Sequence, residues 1–181
     1  FFEGKEISRY PTHERVKMGI SRTYQIPRPF GEMSVTKNIR IGLMPDEILS
    51  VMRMNSASKR EREIGNSVGF KEHHLQALPN ELSMGDLRRL ELARTIATNP
   101  KLLLLDEVFA GLTAGEIAEL SALLKEKKMK GLTFIIVSHD LKTLAPLVDR
   151  VVVVNFGQLI ADGSFEYVIA NQKVKEAYLG K

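Results

Sequence analysis

The sequence predicts an α/β fold on a mainly parallel sheet, from three observations. Leu102 to Leu105 and Thr133 to Val137 are short apolar runs, the pattern of parallel strands covered on both faces. A helical stretch ending at Gly131 separates them, and strand–helix–strand order over residues 83 to 154 argues a parallel sheet. Residues 34 to 80 differ in kind, with little β-branched periodicity, and read as a mainly helical subdomain.

Taken in order, Phe1 to Ile7 reads as a strand remnant and about Thr12 to Met18 as a short helix stopped by Gly19. Ser21 to Gln25 is strand-like, and Pro27 and Pro29 then break regular structure. Two helical stretches and a loop from Gln76 to Asn80 fill the helical region. Ser83 opens a helix with Leu87, Leu90, Ala93, Ile96 and Ala97 along one face, ending at Asn99-Pro100. Leu102 to Leu105 follows as a fully buried strand. Thr113 and Glu116 form a capping pair for a helix carrying Ile117, Leu120, Leu123 and Leu124. Thr133 to Val137 is the next buried strand, and a short helix starts at Leu141. Val151 to Val154 and Gln158 to Ala161 flank Asn155-Phe156-Gly157, a hairpin pattern. Helices cover about Ser164 to Tyr178.

Composition excludes several classes. The 181 residues contain no Cys, so disulfide frameworks and thiolate metal sites are ruled out. The apolar runs are too short to span a bilayer as a helix, and the start lacks the basic-then-apolar order of a signal peptide. The formal charge is +4, with local clusters at Lys59 to Arg62, Arg88-Arg89 and Lys125 to Lys130, which read as solvated helix faces. No aromatic is interleaved with them, so nucleic acid is not an expected partner.

The chemistry-bearing residues cluster at expected strand ends and helix starts. Asp106 and Glu107 end an apolar strand, and ligands of parallel sheets sit beyond the carboxyl ends of strands. An Asp there can hold Mg²⁺, and the neighbouring Glu can polarise a water for attack on a terminal phosphate. Ser83-Met84-Gly85-Asp86 fits a helix cap. The same geometry is an anion site, and Gly85 lets the backbone approach closely. His139 follows the strand ending at Val137, where an imidazole could hydrogen-bond a γ-phosphate. Gln25 lies just past a strand-like segment. His13, His73 and His74 read as surface residues.

With these motifs in this order, the chain resembles the ATPase subunits of ABC transporters along essentially its whole length. Gln25 is similar to the Q-loop residue. Leu82 to Asp86 looks like the signature motif, with Met84 and Asp86 substituted. Leu102 to Glu107 resembles Walker B, Gly111, Leu112 and Thr113 the D-loop, and His139 the switch histidine. Gly19 to Gln25, Pro27 to Phe30, Met33 to Val35, Arg88 to Glu91 and Ala177 to Gly180 look like the branched-chain amino acid importer subfamily, parts of which lipid and urea systems share.

The resemblance implies a P-loop NTPase-like ABC ATPase core over 1–33 and 81–163, a helical subdomain over 34–80, and a helical tail over 164–181. It implies Glu107 as catalytic base with His139, ATP contacts from Gln25 and Asp106, and Mg²⁺ on Asp106 and Gln25. Ser83 and Gly85 would serve nucleotide held by a second ATPase subunit, in a homo- or heterodimer. The implied cofactors are ATP and Mg²⁺. The implied partners are that second subunit and a membrane permease, at the cytoplasmic face of the membrane.

One departure is large. The phosphate-cradling pattern G-x-x-x-x-G-K-[ST] is not in this sequence. The chain opens at Phe1 without an initiator Met, which leads to the expectation that the start of the natural domain is missing. The 181-residue chain alone is therefore expected to bind Mg-ATP weakly or not at all. Tight binding by isothermal titration would refute this. Two other classes stay open, a non-catalytic half-domain that only pairs with a complete partner and a soluble ABC-type ATPase of DNA repair or translation.

Overall fold

The computed structural model describes residues 1–44 and 57–179. Strands β1 (Ile20–Arg22), β2 (Leu102–Asp106) and β3 (Thr133–Val137) pair in parallel in that order, with Ser21 beside Leu103 and Asp106 beside Val137. Helix α1 (Thr12–Lys17) leads into β1. Helix α2 (Val35–Leu43), α3 (Ala57–Ser67) and two 3₁₀ turns, Glu72–Gln76 and Pro79–Glu81, make the region between. The part of the expected helical subdomain over 45–56, and Gly180 of the expected C-terminal pattern, lie outside the described residues.

Helix α4 (Met84–Ala97) is the centre of this first unit, which spans Phe1–His139. It packs against α2, α3 and β1. Gly42 allows the close approach of α2, since a Cβ there would stand 2.4 Å from the Arg94 carbonyl oxygen. The expected single apolar face of α4 is corrected. Leu90, Glu91, Leu92 and Ala93 are all buried in succession, because neighbours surround the helix. Arg88 is buried too, so its expected place on a solvated face is also corrected.

The sheet corrects the expectation of strands buried on both faces. In register, Ser21, Leu103 and Leu105 are buried on one side, while Arg22, Ile135 and Val137 on the other are exposed. An all-apolar run carries no alternation, so the pattern could not reveal that one face stays open. Helix α5 (Ala114–Met129) connects β2 to β3. It begins with a capping box between Thr113 and Glu116 and ends in a Schellman pattern, with Leu132 N–H on Lys127 O and Gly131 N–H on Lys128 O.

The expected strand at Phe1 to Ile7 is a tight turn instead. Phe2 and Lys5 exchange N–H···O bonds of 2.8 and 3.0 Å across Glu3 and Gly4, both at positive φ. The segment pairs with itself rather than with a neighbouring strand.

The second unit, Asp140–Lys181, holds α6 (Leu141–Leu144), β4 (Val151–Asn155), β5 (Gln158–Gly163), α7 (Phe165–Ala170) and α8 (Gln172–Val174). A π turn over Lys175–Leu179 follows. The hairpin forms as expected, with Phe156 and Gly157 at positive φ in a two-residue turn whose twist matches the strands. Among the described residues β4 pairs only with β5, so the parallel sheet does not extend to Val151–Val154. The reason is alternation: Val151 and Val153 point into a core with Ala161, Val168 and Val174.

Candidate functional site

Because all three strands of the sheet are parallel, their carboxyl ends share one edge. There β1 delivers Thr23, Tyr24 and Gln25, β2 delivers Asp106 and Glu107, and β3 delivers Ser138 and His139. Asp106 Oδ2 accepts from Arg22 Nη2 at 2.8 Å. The guanidinium pairs with this oxygen, so any metal ion bound there would have to displace it. Glu107 N–H donates to Val137 O at 2.9 Å, closing the strand end. Glu107 itself turns into the left-handed region at φ +46°, and the chain leaves the sheet there.

Glu107 Oε1 lies 2.9 Å from His139 Nδ1. The carboxylate is largely covered (19% exposed) while the imidazole is open (78%). A shielded base beside an exposed ring is an arrangement that can hold a water or an anion from one side. Gln25 lies exposed at the same edge, beyond β1.

Ser83 and Gly85 sit elsewhere, at the start of α4. The Ser83 hydroxyl accepts from Asp86 N–H at 3.1 Å and donates to Asp86 Oδ2 at 3.0 Å. Both the capping pattern and its acid are therefore engaged. Gly111 takes φ +77° in the loop after Glu107, Leu112 is half-buried, and Thr113 caps α5.

Glu116 joins these two segments. Its carboxylate accepts from Thr113 N–H at 2.9 Å and from the Thr113 hydroxyl at 2.9 Å, and the same side chain lies against Gly85. An ideal Cβ on Gly85 would meet Glu116 Oε1 at 2.3 Å. Gly85→Ala is expected to evict Glu116 and lower the thermal midpoint. In a Glu116→Ala background the same change should cost little, and additive losses in that double-mutant cycle would disprove the link.

The Thr113 donors hold the Glu116 carboxyl below its ordinary value of 4.5. A depressed acid contributes stability that is complete above its unfolded value and is lost as pH falls through its lower folded value. The thermal midpoint should therefore fall as pH drops below 4.5, and fall less for Glu116→Gln, which a parallel pH series would check.

Sequence reasoning missed Arg22, Arg88, Glu91 and Glu116 as site neighbours. The helix also carries Asp86, Arg89 and Arg94, so nothing in its pattern set Arg88 and Glu91 apart. Burial pulls Arg88 below the ordinary arginine range and pushes Glu91 above the ordinary carboxylate range.

A family model described as ABC transporter matches residues 1–110. The probable branched-chain amino acid transport ATP-binding protein LivG of Archaeoglobus fulgidus is 35% identical, covering 99% of this chain and 73% of its own length. The high-affinity branched-chain amino acid transport ATP-binding protein BraF of Pseudomonas aeruginosa is 33% identical, covering 99% and 74%. The lipopolysaccharide export system ATP-binding protein LptB of Acidithiobacillus ferridurans is 29% identical, covering 99% and 73%. Among solved structures, the ADP conformation of an ATP-binding cassette of an ABC transporter superposes at TM-score 0.83 and 31% identity, covering 100% of this chain and 76% of that one. With a family match over more than half the chain and relatives aligned along nearly all of it, the chain belongs to the ABC transporter family as an ATP-binding ATPase domain of P-loop NTPase-like α/β fold.

Proposed function

We propose that the chain is the ATP-hydrolysing subunit of an importer of branched-chain amino acids, held peripherally at the cytoplasmic face of the membrane. The observation that carries this most is the sheet edge, where Glu107 and His139 stand 2.9 Å apart beside Asp106. In this reading the core spans 1–33 and 81–163, with a helical subdomain over 34–80 and a tail over 164–181.

Two such subunits, alike or different, pair around ATP. Glu107 acts as general base and takes a proton from the attacking water. His139 donates to the γ-phosphate and, through its contact with Glu107, keeps that carboxylate aimed. Ser83 and Gly85 serve the nucleotide held by the other subunit, where the positive end of α4 and an open backbone suit phosphate. Gly111, Leu112 and Thr113 face that subunit too.

The residues fit Mg²⁺. This ion needs one or two carboxylates beside substrate phosphates and water, and Asp106 supplies a carboxylate once Arg22 gives up its Oδ2. Asp106 and Gln25 would hold it, and when bound it would neutralise charge developing on the phosphates.

A cleft of ≈ 490 Å³ lined by Val16, Tyr24, Ile41 and Arg94, among others, would seat a permease segment beside Tyr24, the residue before Gln25. Among the described residues no helix is long and apolar enough to cross a membrane, so a separate permease fits the reading. The substrate assignment leans on the names of the LivG and BraF relatives. A second reading, an export ATPase, is favoured by the LptB relative.

The test is to tag the chain in its own cell, solubilise membranes gently and isolate the complex. We expect a permease to co-purify and leucine, isoleucine or valine with their binding protein to stimulate ATP hydrolysis. Stimulation by a lipid substrate instead would overturn the importer reading. Isolation free of any membrane protein would overturn transport altogether.

A further inference from the structure

Helix α4 carries charged side chains where its neighbours are apolar. Arg88 is 4% exposed and Glu91 7%. The two are loosely paired with each other, at 3.8 Å. Each instead makes a closer contact with a single residue, Tyr24. The Tyr24 N–H donates to Glu91 Oε1 at 2.7 Å, and Arg88 Nη1 donates to the Tyr24 carbonyl at 3.0 Å. Both main-chain groups of the residue before Gln25 are thus gripped by one helix, 64 to 67 positions away in sequence.

The far side of the loop is tied as well. One turn further along α4, Arg94 donates to Arg28 O at 2.7 Å and lies over the Phe30 ring at 4.8 Å. Asn38 accepts from Phe30 N–H at 2.8 Å and donates back to its carbonyl at 3.1 Å. Between these ties Gln25 is exposed and Ile26 is 70% exposed. The loop is therefore free only at its middle.

A buried ion pair is a poor way to hold a helix together, since apolar residues of similar volume often do as well or better. The Arg88 Nε has no hydrogen-bond partner among the described residues. Glu107 lies near enough to favour the ionised guanidinium. This costly arrangement buys one specific thing, the location of the Tyr24 peptide groups between α4 and the sheet edge.

We propose that Arg88 and Glu91 are positioning residues, which set the place of Gln25 at the sheet edge by clamping both peptide groups of Tyr24. This rests on the reading of Gln25 as a nucleotide-site residue, but the clamp can be tested without nucleotide. The chain has no Cys, so Ile26→Cys gives a single attachment point for a nitroxide. Removing one charge alone can unfold the chain by stranding the other, so the decisive variant is the apolar pair Arg88→Met/Glu91→Leu.

We expect a restricted nitroxide spectrum in the parent and a several-fold shorter rotational correlation time in the double variant. Glu91→Gln, which keeps an acceptor oxygen, should fall between. Far-UV circular dichroism and a cooperative thermal transition certify that the variants are folded. In the isolated transporter complex, the double variant should lower kcat for ATP while KM holds. An unchanged nitroxide spectrum in the folded double variant overturns the clamp. A freed label with unchanged kcat overturns its positioning of Gln25. A parent complex without ATPase activity would count against the proposed function and leave the nitroxide result standing.

Discussion

Glu107→Gln should lower ATP turnover of the assembled transporter by about 10²–10⁴-fold, the range a positioned general base contributes. The nucleotide affinity of the assembled transporter should stay at the parent's level. The substitution is nearly isosteric, and a Gln amide can still hydrogen-bond His139 Nδ1 at the observed 2.9 Å geometry, as donor or acceptor. What is lost is the capacity to take a proton. The experiment separates holding from reacting, read as turnover and nucleotide affinity on the same preparation. Undiminished turnover would remove Glu107 from the base role. Because Glu107 is only 19% exposed, solvent is poorly placed to replace it.

The largest stability effect is expected at Leu103, fully buried in the middle strand of the sheet. Leu103→Ala should destabilise by about 2–5 kcal/mol, from lost apolar burial plus the cavity left behind. Ile135 on the neighbouring strand is the matched control. It is 54% exposed, and the register puts it beside Leu104, on the opposite face. Ile135→Ala should cost less than about 1 kcal/mol. Urea unfolding of both variants measures the difference directly. Equal losses would mean that the open face is covered when the chain folds in solution.

The local chemistry of the chain was legible wherever a short-range device announced it. Thr113 and Glu116 form the capping box their spacing implies, and Asn155-Phe156-Gly157 turns the hairpin. The order of Asp106, Glu107 and His139 on successive strands was readable because parallel strands put their ends on one edge. What the sequence hid was tertiary. Arg88 and Glu91 look like any surface charges until a loop more than sixty residues away arrives to bond them. The open face of β3 was hidden for a different reason. Thr133 to Val137 is apolar on both sides, and periodicity cannot separate a strand buried twice from one buried once. Phe1 to Ile7 showed composition suited to a strand, but a positive φ at Glu3 and Gly4 folds it back on itself.

The left-handed backbone at Glu107 has an evolutionary consequence. A residue with a side chain held at φ +46° costs on the order of 1 kcal/mol, so the fold carries this burden before any nucleotide arrives. Glycine would relieve it at no steric cost. A library of position 107 variants sorted for resistance to heat should drift toward glycine and away from glutamate. The same library sorted for transport should recover glutamate. Position 107 is thus a place where selection for durability and selection for work pull the same codon in opposite directions.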